Sequence, residues 1–285
     1  GFAVASALLG CAVGAWFAGT LANKYGRIRV MVISATLFLI SAIGSALAFN
    51  VWDLMLWRVV GGLAIGAASV IAPAYIAEVA PSKFRGRLGS LQQMAIVLGI
   101  FAALLSDQLL AETAGGASND LWWGLEAWRW MFLVCAVPAV IYGVAAMTLP
   151  ESPRYLVGKH RLEEAAAVLR TFTGETDVDH KVEEIHQSLG DDEKRSLGDL
   201  KGRAFGLKPI VWTGILLSVF QQFVGINVIF YYGAVLWQAA GFTEGDALLT
   251  NVLSGGLSIA AVIVALLVID KIGRKPMLII GSVGM

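Results

Sequence analysis

Polar side chains inside long apolar runs are the groups in this chain with chemistry to do. Gln92 and Gln93 stand in the uncharged run 88–106. Gln221, Gln222, Asn227, Tyr231 and Tyr232 stand in the apolar stretch 209–237, and Arg58 lies about one turn into another. Such groups are costly in hydrocarbon, so each marks a contact that offsets the cost. An amide both donates and accepts, as a hydroxyl does. A set of amides therefore suits a polyhydroxylated solute better than an ion or a lipid. The same amides can instead bond helix to helix, and the residue types alone leave both readings open. Gln92 lies about 100° around a helix from Gln93 and is read as packing. On an ideal helix Gln221 and Asn227 would sit about 120° apart. They share a pocket more easily if the helix breaks between them, which Gly225 permits.

Covalent chemistry has no foothold. No nucleophile–base pair, phosphate loop or metal-ligand spacing appears, so an enzyme is disfavoured and no cofactor is expected. His160, His180 and His186 fall in the one long polar segment and read as a solvated face. Cys11 and Cys135 fall in apolar runs and read as small buried hydrophobes, with no disulfide framework.

The elements that must position these groups are set by composition. Apolar types make up 57% of the 285 residues, charged types 15%, and mean hydropathy is +0.72. Soluble domains carry about 25% charge, so this chain cannot cover a water-facing surface. A membrane helix needs about 20 apolar residues, and residues 30–52 contain no charged side chain at all. Such runs are too long for barrel strands, so the chain reads as an all-α polytopic membrane bundle. Seven spans are expected at about 1–22, 30–49, 54–77, 88–110, 128–149, 209–237 and 248–269, with an eighth starting near Met277. Segment 150–208 is too charged for lipid. Leu162, Ala165, Ala166 and Leu169, and then Val182, Ile185 and Leu189, recur there at helical spacing.

Nineteen of the 21 basic residues fall in alternate loops, and the loops around 50–53, 111–127 and 240–247 hold none. The positive-inside rule puts the basic loops in the cytoplasm. Residue 1 is Gly and opens straight into a span, with no signal peptide. An Ala- and Gly-rich composition suits a bacterial inner membrane.

Two segments repeat: Asn23-Lys-Tyr-Gly-Arg27 and Asp270-Lys-Ile-Gly-Arg274, 247 residues apart. Each follows a span, and each lies on the basic-loop side. Transporters are commonly built from repeated halves. If the first motif follows the second helix of its half, one helix precedes Gly1. The whole would then be a carrier of six and six helices, of which this chain holds helices 2 to 8. Three parts follow: 1–149, a first bundle; 150–208, a cytoplasmic linker; and 209–285, the start of a second bundle.

Further stretches make the reading specific. They are Arg58-Val-Val-Gly-Gly, Tyr75-Ile-Ala-Glu78-Val-Ala-Pro-Ser-Lys-Phe-Arg85-Gly, Pro150-Glu-Ser-Pro-Arg154 and Gln221-Gln-Phe-Val-Gly-Ile-Asn227. With these the chain resembles the sugar porter family of the major facilitator superfamily. The resemblance implies transport of a monosaccharide by alternating access, by a protein that works as a monomer in the bilayer, with no nucleic-acid partner. It implies that Gln93, Gln221, Gln222 and Asn227 contact the sugar and that Tyr231 or Tyr232 closes the outer gate. It sets Arg58 against a first-helix carboxylate in proton-coupled members, so whether protons accompany the sugar is left open. It makes Arg27, Glu78, Arg85, Glu151, Arg154 and Arg274 ion pairs between the halves that shut the inner gate. Two positions depart from the family pattern: Asn23 replaces an acid, and Ser258 replaces an Asn common in sugar-binding members. A cyclic polyol carrier and a non-transporting sugar sensor are the alternatives.

Overall fold

The computed structural model describes residues 2–81, 85–173, 178–193, 208–223 and 225–283. Among the described residues, seven helical segments are long and apolar enough to cross a bilayer: Ala5–Tyr25, Arg27–Ala46, Val51–Val79, Leu88–Ala114, Ala127–Thr148, Pro209–Ala239 and Glu244–Val268. They fall where the apolar runs place them. The first three are helices α1 (Phe2–Tyr25), α2 (Arg27–Ala46) and α3 (Val51–Val79), and the fourth is α4 (Arg85–Ala114).

Small residues let α1 and α3 touch backbone to backbone. A Cβ at Gly62 would overlap the Ala7 carbonyl oxygen, and one at Gly66 that of Cys11. The reverse holds too: a Cβ at Gly10 would overlap Val59 O and one at Gly14 would overlap Leu63 O. The small-x-x-x-small step at Gly62 and Gly66 therefore meets a matching step on α1. Ala18, Ala22, Val30, Met31, Ala67, Ile71, Tyr75 and Ala146 form a buried core at the basic-loop end of these helices.

The loop after α4 holds a short hairpin, β1 (Asp120–Trp122) and β2 (Leu125–Glu126), that the all-helical expectation lacked. Its two turn residues, Trp123 (φ 56°) and Gly124 (φ 69°), both take left-handed φ. That is the twist a two-residue hairpin turn demands. The next span is two helices in line, α5 (Ala127–Val134) and α6 (Ala136–Thr148). Helices α7 (Pro153–Gly158), α8 (Leu162–Val168) and α9 (Val178–Glu193) follow in the polar segment. Leu156, Val157 and Ala165 are their buried core, with Val182, Ile185 and Leu189 packed against it. Ala165 from the first helical stripe and Val182, Ile185 and Leu189 from the second thus cover Leu156, while Leu162 is exposed.

The sixth span is α10 (Pro209–Phe223) and α11 (Ile226–Ala239). The seventh is α12 (Glu244–Ile272), followed by α13 (Arg274–Val283). Both repeat motifs join helices the same way. Gly26 (φ 99°) separates α1 from α2, and Gly273 (φ 89°) separates α12 from α13. Only glycine takes such φ values without steric cost.

Candidate functional site

The described charges at the basic-loop end converge on Arg27. Its guanidinium grips Glu78 with two bonds, Nη2 to Oε1 at 2.9 Å and Nε to Oε2 at 3.0 Å. The pair is largely shielded, its side chains 10% and 15% exposed. Nη1 adds bonds to the Ala22 carbonyl (3.2 Å) and to Asn23 Oδ1 (3.1 Å). Asn23, the departure from an acidic residue, therefore serves as a neutral acceptor for the same arginine. Glu78 sits at the C-terminus of α3, where the helix dipole disfavours an anion. Arg27 and the hydroxyl of Ser152, which also donates to Glu78 Oε2, compensate.

Glu151 does something different. Gly26 has no side chain to cap α2, so the first N–H groups of that helix need an outside acceptor. Glu151 supplies it: Oε1 accepts from Arg27 N (2.9 Å) and Oε2 from Ile28 N (3.3 Å). An anion at a helix N-terminus is favoured by bonding and dipole together. At the other end, Arg129 Nη1 donates to the carbonyls of Ala46 (2.8 Å) and Ala48 (3.0 Å). Arg129 at the start of the fifth span and Glu151 just after its end thus cap α2 at both ends with the correct sign of charge.

Arg27, Glu78 and Glu151 meet, but all within residues 22–152, because the start of α2, the end of α3 and the turn after α6 share one face. Among the described residues, the bonds of Arg27, Glu78 and Glu151 stay within that stretch. Arg154 lines a cavity with Asn23, Arg27 and Tyr155. The side chains of Arg85 and Arg274 lie outside the described ones. Sequence reasoning missed Ser152, which is fully buried, and Tyr75, whose hydroxyl donates to Pro150 O at 2.8 Å. Both stand inside motifs already quoted, Pro-Glu-Ser-Pro-Arg and Tyr-Ile-Ala-Glu, so their positions were visible and their bonds were not.

The amides form a second group. The sixth span is broken as expected: Gly225 is left-handed (φ 81°, ψ 2°) between α10 and α11. Gln221 and Gln222 end the first piece, and Tyr231 and Tyr232 lie on the second. Gln93, Gln221, Gln222 and Tyr231 are exposed, while Tyr232 is half-buried. Among the described residues, no hydrogen bond of the Gln93 or Gln221 side chain is found. The side chain of Asn227 lies outside the described ones. Ser258 is spent on its own helix, donating to Ser254 O at 2.9 Å. Arg58 stacks over the Phe132 ring, 5.4 Å from its centroid. It lines a cavity of about 420 Å³ with Ser41, Ser45, Cys135 and Tyr142.

Comparison with known proteins decides between folds that could carry such features. A family model described as "Sugar (and other) transporter" matches residues 1–285. The chain belongs to this sugar transporter family. It is 54% identical over 286 residues to a glucose transport protein of Synechocystis sp., covering 100% of this chain and 61% of that protein. It is 38% identical over 305 residues to the D-xylose-proton symporter of Escherichia coli, covering 100% and 60%. An arabinose-proton symporter of Bacillus subtilis is 36% identical over 283 residues, covering 99% and 60%. Among solved structures it matches the E. coli xylose transporter XylE in a partially occluded inward-open conformation (TM-score 0.84, 34% identity, 99% of this chain and 65% of that one). It matches XylE bound to 6-bromo-6-deoxy-D-glucose equally well (TM-score 0.84, 36% identity, 99% and 62%). This sugar transporter chain has the major facilitator fold, is an integral membrane protein, and spans about 60% of the length of the curated relatives it matches.

Proposed function

We propose that this chain forms part of a carrier that moves a monosaccharide by alternating access. The observation that carries the proposal is the left-handed break at Gly225 inside a membrane span, with amides on its near side and paired tyrosines beyond. A broken helix exposes polar groups at membrane depth, where transporters bind solute. Gln93, Gln221, Gln222 and Asn227 are the sugar contacts in this reading, and Tyr231 and Tyr232 the gate on the basic-free face. The exposed amides of Gln93 and Gln221 are available to a solute, and relatives named for glucose, xylose and arabinose support the reading.

The basic loops face the cytoplasm of a bacterial inner membrane, the carrier works as a monomer, and the chain divides into 1–149, 150–208 and 209–285. Arg58 is the candidate for proton coupling. Arg27, Glu78 and Glu151, with Arg85, Arg154 and Arg274, form the inner gate, where a bistable interface is biased by contacts made in one state only.

The test is uptake of labelled glucose and xylose by the full-length protein in cells lacking their own sugar carriers, beside Gln222→Ala. Saturable uptake lost in the variant supports the proposal. No uptake of either sugar, from protein shown to reach the membrane, refutes it and leaves the polyol or sensor readings. Loss of uptake with a protonophore adds proton coupling.

A further inference from the structure

The N-terminus of α12 carries one acid more than capping needs. Thr243 and Asp246 already close the cap. The Thr243 hydroxyl donates to Asp246 Oδ2 at 2.6 Å and accepts from Asp246 N at 3.2 Å. Glu244, in the same turn, reaches a different element. Its Oε1 accepts from the backbone N–H of Ala117 at 3.0 Å, across 127 residues. Its Oε2 lies against Gly116, where a Cβ would stand 3.7 Å away.

The receiving turn is built to present that N–H. Gly115 (φ 72°) and Gly116 (φ 147°) reverse the chain after α4. Asn119 Nδ2 ties the turn back to Ala114 O at 3.0 Å. The Ala117 carbonyl is held from behind by Trp128 N, also at 3.0 Å. Below the contact α4 and α12 pack directly, with Gly255 facing Phe101 and Leu104. The bond therefore joins the basic-free ends of two packed helices, one on each side of segment 150–208.

We propose that Glu244 is the latch that holds the basic-free face of the carrier shut. Its carboxylate holds Ala117 N–H while the two halves meet at this face and releases it when they part. The proposal rests on the alternating-access reading. The bond is charge-assisted, which strengthens it, yet solvent-exposed, so it biases the closed state without locking it. One such bond shifts a two-state ratio by roughly tenfold. Glu244 is a positioning residue, acting through the halves and not on the sugar.

The test places spin labels at Ser118 and Gly245 of the full-length protein and reads their distance distribution. The parent is expected to show a short and a long population. Glu244→Ala should raise the long-to-short ratio about tenfold. Glu244→Gln keeps an acceptor oxygen and should stay within about threefold of the parent. A single distance that Glu244→Ala does not move overturns the latch, as does an equal shift in both variants. Sugar uptake by the parent is measured alongside. Its absence refutes the transport reading, while the distance arm still reports on the latch.

Discussion

Gly26→Ala tests the reasoning about the capped end of α2 most directly. Two separable costs follow from the structure. Gly26 sits at φ 99°, ψ 160°, a region occupied essentially by glycine alone, and forcing alanine there costs about 1–3 kcal/mol. The new methyl would also overlap Glu151 Oε2. Displacing that carboxylate breaks at least one of its bonds to Arg27 N and Ile28 N. A bond to a charged group is worth about 1.5–3 kcal/mol. The sum is about 2.5–6 kcal/mol, a large part of the roughly 5–15 kcal/mol that holds a folded protein together. A double-mutant cycle with Glu151→Ala separates the costs. Without the carboxylate only the backbone strain remains, so Gly26→Ala should cost about 1.5–3 kcal/mol less in that background. The assay is reversible unfolding of the full-length protein in mixed micelles, for the parent, both single variants and the double. If Gly26→Ala costs the same with and without Glu151, to within about 0.5 kcal/mol, the carboxylate does not cap α2 as argued. If Gly26→Ala is neutral in both, the backbone argument fails as well.

Other outcomes follow from the same geometry. Arg27→Lys should destabilise nearly as much as Arg27→Ala, because lysine cannot reproduce the two-pronged grip on Glu78; unfolding of both variants checks this. Gly66→Leu should abolish assembly of the α1–α3 pair, since even one added carbon overlaps the Cys11 carbonyl; the measure is monodisperse protein by size-exclusion chromatography. Gln221→Ala should weaken sugar binding at least tenfold while leaving unfolding within about 0.5 kcal/mol of the parent, because its side chain is exposed; titration with sugar and a melting curve together check it. The bond to Lys181, with the lysine's charge, holds the Glu184 carboxyl below the usual carboxylate range. Its contribution to α9 is therefore present at neutral pH and lost as pH falls through that lowered value. A carboxyl NMR titration that finds an ordinary value would remove the effect.

The legible and illegible parts of this fold divide by distance along the chain. The spans were legible because crossing a bilayer demands about 20 apolar residues in one piece. The break at Gly225 was legible because Gln221 and Asn227, about 120° apart on an ideal helix, share a pocket more easily across a break. The hairpin was not, because Trp123-Gly124 lacks the usual turn pair, and only the backbone shows that Trp123 accepts left-handed φ. The repeated motifs show the boundary best. Gly26 and Gly273 break their helices with nearly the same φ, so the repeat preserves a backbone device, and that much can be read from Lys-x-Gly-Arg alone. What stands behind each glycine differs. A Cβ at Gly26 would overlap Glu151 Oε2, whereas one at Gly273 would find, among the described residues, nothing nearer than Pro276, 3.9 Å away. Glu151 lies 124 residues from Arg27, and no local pattern encodes that meeting. The glycine of the first motif is thus held by conformation and by a carboxylate together, and that of the second, among the described residues, by conformation alone. Alanine at Gly273 should therefore cost only the strain term, about 1–3 kcal/mol, and should be indifferent to Glu151.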